Sequence, residues 1–178
     1  MIYQFPSNFV GIVKPEFPSD LYESLLIDID ALRTNQNERN GCWSDYGQQS
    51  KPWVHRPAGK YLLQRLIPDG IKDVLSNIDI GPLSVFTITD AWFSHYRQGG
   101  IHQPHTHAGS DISVIFILRS TGENKTVFFQ QGNKLTERVF HAKDADAGSL
   151  IVFPSLLPHY VMAAESERTI ISANLRAG

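Results

Sequence analysis

Downstream of Pro82 the chain is built from short β-branched and aromatic runs. They are LSVFTITDAWFSHY (83–96), DISVIFILRS (111–120), KTVFFQQ (125–131), RVFHAK (138–143), SLIVFPS (149–155), HYVMAA (159–164) and RTIISANL (168–175), set apart by Gly, Asp, Asn and Lys. Such runs read as strands, and seven at close spacing predict a sandwich, jelly roll or barrel. Upstream the period changes. Ser19–Leu32 puts Leu21, Leu25, Ile27 and Leu32 roughly on one stripe behind an N-cap at Ser19 or Asp20, which predicts an amphipathic helix. A second helix is expected over 59–76, carrying Tyr61, Leu62, Leu63, Leu66, Ile71 and Val74, with Pro68-Asp69-Gly70 breaking or kinking it. Between them Thr34–Val54 is polar and turn-rich, with Trp43, Tyr46 and Trp53 embedded. Loops of that length in compact domains often serve as binding loops or lids. The expected fold is α+β, mainly β: one domain over 1–178, with helices and loops in 1–80 and an antiparallel core in 81–178.

Composition narrows the setting. A chain of 178 residues builds a core without disulfide or structural metal. Its single cysteine, Cys42, excludes an internal disulfide and a thiolate zinc cluster, and is expected to be an ordinary thiol. A formal net charge of −2 gives no electrostatic case for nucleic acid or an anionic membrane. The opening MIYQFPSNFVGIVKPEF lacks the basic and apolar regions of a signal peptide, and no run approaches the roughly eighteen apolar residues of a membrane span. A cytoplasmic location is the expectation, and a homodimer is one assembly left open.

The chemistry concentrates in YRQGGIHQPHTHAGSD (96–111), which holds His102, His105, His107 and Asp111; His159 and Arg168 follow further on. Imidazole suits Fe, Zn, Ni and Cu, and histidines at i and i+2 of an extended strand point the same way. His105 and His107 can therefore share an ion, with His159 arriving from an opposing strand. Asp111 has the strand parity of His107 and stands as an alternative third ligand. His102 has the opposite parity to His105 and reads as support or bystander. Any one of these histidines is more simply a surface or hydrogen-bonded residue; the set is what points to a metal.

Tyr96-x-x-Gly99-Gly100-x-x-x-Pro104-His105-x-His107 resembles the signature of Fe(II)/2-oxoglutarate-dependent oxygenases of the prolyl-4-hydroxylase type, Tyr-x-x-Gly-Gly and then Pro-His-x-Asp. With Gly148-x-x-x-x-Phe153-Pro154, His159 and Arg168-Thr-Ile-x-Ser-x-Asn174, the chain is similar to a branch of small oxygenases bearing HxH in place of HxD, over about residues 90–176. The resemblance implies a double-stranded β-helix (a cupin-like jelly roll), Fe(II) held by His105, His107 and His159, and 2-oxoglutarate and O2 as cosubstrates. It implies that Arg168 pairs bidentately with the distal carboxylate of 2-oxoglutarate. Tyr96 and Ser113 become hydroxyl donors to that carboxylate, and Asn174 a polar neighbour of the cosubstrate. The implied reaction hydroxylates a small molecule or protein side chain while 2-oxoglutarate becomes succinate. Ile115, Ile117, Val152 and Phe153 are candidates for the apolar lining, or plain core. His107 leaves the ligand set one negative charge short of the usual triad.

Two rival readings stand beside this one. Cupins use G-x5-H-x-H-x3–4-E and G-x5-P-x-G-x2-H-x3-N. Gly99, His105, His107 and Asp111 meet the first with Asp for Glu; Gly148, Pro154 and His159 meet the second, with Leu156 and Ala163 departing. A cupin-type three-histidine dioxygenase or isomerase has no role for Arg168. The other rival is a catalytically inactive jelly-roll binding protein, since fold alone decides no function.

Overall fold

A computed structural model describes residues 2–5, 8–32, 38–78, 85–130 and 138–178. The start of the Thr34–Val54 loop, Leu83 and Ser84 of the first run, and Gln131 lie outside the described residues. The strands are β1 (Ile2–Phe5), β2 (Asn8–Val13), β3 (Glu38–Arg39), β4 (Cys42–Ser44), β5 (Phe86–Tyr96), β6 (His102–His105), β7 (Ile112–Ser120), β8 (Thr126–Gln130), β9 (Arg138–His141), β10 (Leu150–Pro154), β11 (His159–Val161) and β12 (Arg168–Ala177). The larger sheet runs β1-β2-β10-β7-β12-β5-β4-β3, and the smaller β6-β11-β8-β9. All their pairings are antiparallel, which makes the jelly roll the β runs predict.

Strand alternation sorts the larger sheet into two faces. Phe93, Val114, Phe116, Leu118, Leu150, Val152, Ile171, Ala173 and Leu175 pack beneath the helices. Their neighbours Tyr96, Ile115, Ile117, Ile151, Phe153 and Ile170 face the smaller sheet. Ile115, Ile117 and Phe153 thus lie on the side expected of them, whereas Val152 belongs to the helical core.

Helix α1 (Ser19–Leu32) buries Leu25, Asp28 and Ile29, and Ile27, expected inside, is 69% exposed. The second helical stretch begins at Pro57 and is not broken at Pro68. Helix α2 (Pro57–Tyr61) passes into a π turn, Leu62–Leu66, and then into α3 (Ile67–Ser76). The Ile67 N–H bonds back to the Leu62 carbonyl. Pro68, which has no N–H to give, then falls at the start of the next α turn, where none is required. Close approach fixes α3 on the sheet: a Cβ at Gly70 would stand 2.5 Å from Leu150 Cδ2, and one at Gly11 2.3 Å from Val74.

Two more departures come from the N-terminal half. Strands β1 and β2 extend the larger sheet through β10, and β3 and β4 extend it past β5. The segment expected as a lid is therefore partly sheet, and Trp43 and Trp53 are buried in the helical core. Among the described residues no helix is long and apolar enough to cross a membrane.

Candidate metal centre

Three imidazoles meet where the two sheets face one another. His105 ends β6 and His159 opens β11, and the two are directly paired. His107 follows β6 in a turn held by its N–H, which donates to the Ser155 carbonyl at 2.8 Å. The ligand nitrogens of His105, His107 and His159 all lie within 4.8 Å of one another, the one such group among the described residues.

Backbone contacts set the tautomers. His105 Nδ1 is 2.8 Å from the Gln103 carbonyl and His159 Nδ1 is 3.1 Å from that of Leu157. A carbonyl only accepts, so both rings carry their proton on Nδ1 and turn an Nε2 lone pair inward. His107 Nε2 stands 3.2 Å from His159 Nε2. Two nitrogens bound to one ion at about 2.1 Å, at right angles or tetrahedrally, lie about 3.0–3.4 Å apart. The donor set therefore fits a transition metal. Burial drives the rings to the neutral form that binds it: the pKa falls to about 3 for His159 and about 4 for His107, and below the ordinary value for His105.

His102 stands beside the three, stacked on His105 with centroids 4.3 Å apart, its Nδ1 3.3 Å from the Tyr96 hydroxyl. Burial raises the Tyr96 pKa, so the hydroxyl keeps its proton. Asp111 lies apart from the imidazoles: its carboxylate accepts the Ala177 N–H at 2.9 Å. The turn between the two residues contains Gly109 at φ +91° and resets the strand phase on which the carboxylate alternative depends.

Arg168 opens β12 opposite Tyr96 and is 2% exposed. One terminal nitrogen donates to Asn124 Oδ1 at 2.7 Å and the other to Thr126 Oγ1 at 3.1 Å. Arg168 Nε and Asn124 Nδ2 have no partner. No carboxylate among the described residues forms an ion pair with this guanidinium. Burial lowers its pKa while nearby Tyr96 and Cys42 oppose the shift, and an arginine remains charged regardless.

Ser113 and Asn174 are elsewhere. They pair across β7 and β12, about 20 Å of strand from Arg168. Ser113 Oγ donates to Asn174 Oδ1 at 2.8 Å and lies 2.8 Å from Ser155 Oγ. The structure thus brings Tyr96 to Arg168, and Ser113 to Asn174 and Ser155.

An open cleft of about 320 Å³ is lined by His102, His105, His107 and His159 with Tyr96, and by Trp92, Ser94, Ile115, Val161, Ile170 and Ser172. Trp92 stacks on His107 at 5.5 Å and 24°, and Tyr46, 64% exposed, packs against Trp92. Sequence reading missed Trp92, Asn124, Thr126 and Ser155. Trp92 was within reach, since it shares its strand parity with Tyr96.

Fold and histidine set together define a metal-site double-stranded β-helix. Residues 82–175 match the cupin family model, and the chain belongs to the cupin family. No curated protein matches the chain in sequence. Three solved structures share its fold. Prolyl-4-hydroxylase from Pseudomonas putida is 19% identical over 95% of this chain and 92% of its own, with a TM-score of 0.59. SnoN, a non-heme α-ketoglutarate-dependent epimerase from nogalamycin biosynthesis, is 10% identical over 94% and 78%, with a TM-score of 0.67. HygX from Streptomyces hygroscopicus, solved with nickel and 2-oxoglutarate bound, is 9% identical over 94% and 82%, with a TM-score of 0.64. At these identities the likeness is one of fold.

Proposed function

We propose that the protein is an Fe(II)- and 2-oxoglutarate-dependent oxygenase, and that it hydroxylates a small molecule or a protein side chain. The observation that carries the reading is Arg168: a buried guanidinium, free of any carboxylate partner among the described residues, packed on the Tyr96 ring that lines a cleft walled by three imidazoles. An isolated buried charge is costly. A dicarboxylate reaching from the metal to Arg168 relieves that cost, and the orphaned Nε supplies a further donor.

Each residue then has a task. His105, His107 and His159 would hold the iron that keto acid and O2 need. Arg168 fixes the far carboxylate of the keto acid, and the Tyr96 ring, with the guanidinium carbon 5.1 Å from its centre, keeps the arginine in place. Ile115, Val161 and Ile170 exclude water from the cleft between. Once bound, iron would couple O2 to oxidative decarboxylation of the keto acid, one oxygen atom going to succinate and the other to the hydroxylated substrate. Substrate enters past Tyr46 and Trp92. The α-ketoglutarate dependence of SnoN and the 2-oxoglutarate bound in HygX support the reading by likeness of fold.

Anaerobic titration with Fe(II) and 2-oxoglutarate tests it. A weak visible absorption that needs both is expected, followed by succinate formation when air is admitted. The three-histidine set and the cupin family favour one second reading, a metal enzyme independent of keto acid. Iron uptake with no spectral or thermal response to 2-oxoglutarate would select that one. No uptake of metal would leave a binding protein.

A further inference from the structure

We infer that Asn124, with Thr126 beside it, is the positioning residue of Arg168: an uncharged clamp that aims the guanidinium and leaves its charge for the far carboxylate of the keto acid. The inference rests on the keto-acid reading of Arg168 and names what keeps that cation available.

The clamp is made of obligate partners. An arginine only donates, so Asn124 turns its oxygen toward Arg168, whose Nη1 lies 2.7 Å from Oδ1. The Thr126 main-chain N–H, equally unable to accept, donates to the same Oδ1 at 3.0 Å. Two donors on one oxygen fix which way the amide faces. Thr126 Oγ1 accepts Nη2 at 3.1 Å, so both terminal nitrogens are held. All three side chains are buried. Thr126 opens β8 in the smaller sheet and Arg168 opens β12 in the larger, so the clamp joins the guanidinium of one sheet to the edge of the other.

Nothing in the clamp carries charge. The acids near it in the chain, Glu123, Glu165 and Glu167, are exposed, and Lys125 takes the first two at 2.8 and 2.9 Å. A buried cation held by neutral oxygens and the Tyr96 ring is positioned without being neutralised. Two donors also remain. Arg168 Nε and Asn124 Nδ2, one on each partner of the same hydrogen bond, have no acceptor among the described residues. Buried donors are seldom left so. An aspartate at 124 would have the same shape and could accept both bonds, yet it would cancel the charge and remove the Nδ2 donor. Amide in place of acid is what keeps Arg168 open to an anionic ligand.

Calorimetric titration of full-length, Zn(II)-loaded protein tests this with 2-oxoglutarate and 2-oxobutyrate, which share the chelating end and differ in the far carboxylate. Wild type should prefer 2-oxoglutarate. Asn124→Asp should weaken 2-oxoglutarate at least about tenfold, the scale of hydrogen bonds to charged groups. It should leave 2-oxobutyrate unchanged and melt no lower than wild type. Thr126→Val removes one acceptor at constant shape and should also weaken 2-oxoglutarate alone, which keeps a test in hand if Asn124→Asp does not fold. A merely structural clamp would lose both keto acids together, and that result would overturn the inference. So would Asn124→Asp protein with the wild-type preference intact; the keto-acid reading would then stand alone. Zn(II)-loaded wild type that binds neither keto acid, or both alike, would bring down the two together.

Discussion

Arg168 holds its guanidinium carbon 5.1 Å from the centre of the Tyr96 ring, and Tyr96 in turn reaches His102 with its hydroxyl at 3.3 Å. Cation, ring and imidazole form one chain of contacts that ends at His102, stacked on His105 of the candidate ligand set. Replacing Arg168 with Met should therefore leave metal uptake intact and abolish the response to 2-oxoglutarate. A ligand at a hundred times its Kd stabilises by about 2.7 kcal/mol. That gain should appear as a rise in Tm of the metal-loaded wild type with 2-oxoglutarate and be missing in Arg168→Met. An equal rise in both proteins would take Arg168 out of the cosubstrate site.

Substitution separates the ligand histidines from Asp111. His159→Ala and His107→Ala should each reduce bound metal, measured by equilibrium dialysis and elemental analysis, from near-stoichiometric to a small fraction. Asp111→Ala should leave that content unchanged. Its cost should be confined to stability, at most about 0.5–1.5 kcal/mol for the bond to Ala177 N–H. Loss of metal in Asp111→Ala would return the carboxylate to the ligand set.

Acid should destabilise the metal-free protein. Burial lowers His159 to about 3 and His107 to about 4, against an ordinary value near 6.5. Below about pH 6.5 the unfolded chain takes up protons that the folded rings refuse, so stability is complete above that pH and falls as pH drops toward 4 and then 3. Urea midpoints at pH 7.5 and 5 should fall in that order. Zn(II) affinity of the folded protein should change little across the same range, because its rings are already neutral. A midpoint that rises on acidification would be incompatible with imidazoles kept neutral by burial.

Much of the β core was legible because its signal is local. Seven apolar runs became strands; His105 and His107 do meet as expected, but by a turn past the end of β6 rather than by strand alternation. The third ring and Arg168 came from motif resemblance, and the structure brings that ring to the same point. What failed depended on long-range pairing. Nothing local in Asn8–Val13 announces that β10 will accept it, or that Cys42–Ser44 will pair with β5. The tryptophans of the supposed lid misled for a related reason. The Asp45 carboxylate accepts both Trp53 Nε1 and the Phe93 N–H at 2.8 Å, drawing that segment down onto the sheet and the indoles into the core. Ser113 and Asn174 were given to the cosubstrate by resemblance; register pairs them across β7 and β12, six residues along β12 from Arg168.

Cys42 should resist modification in the folded state. Burial pushes its thiol up to about 11, outweighing the hydrogen bonds of Tyr96 and Ser94, so very little thiolate exists near neutrality. Maleimide labelling at pH 8, followed by mass spectrometry, should be negligible in buffer and should track unfolding as urea is added. Rapid labelling of the native protein would show the strand pair around Cys42 to be open.

The stacking of Trp92 on His107 gives the cleft an intrinsic optical gauge. Trp43 and Trp53 sit on the opposite face of the larger sheet, among the helices. An open-shell ion gripped by His107 would drain the excited state of one indole and spare the other two. Fluorescence quenching on loading Co(II) or Fe(II) would thus follow occupancy through a single emitter, and Trp92→Phe would silence it.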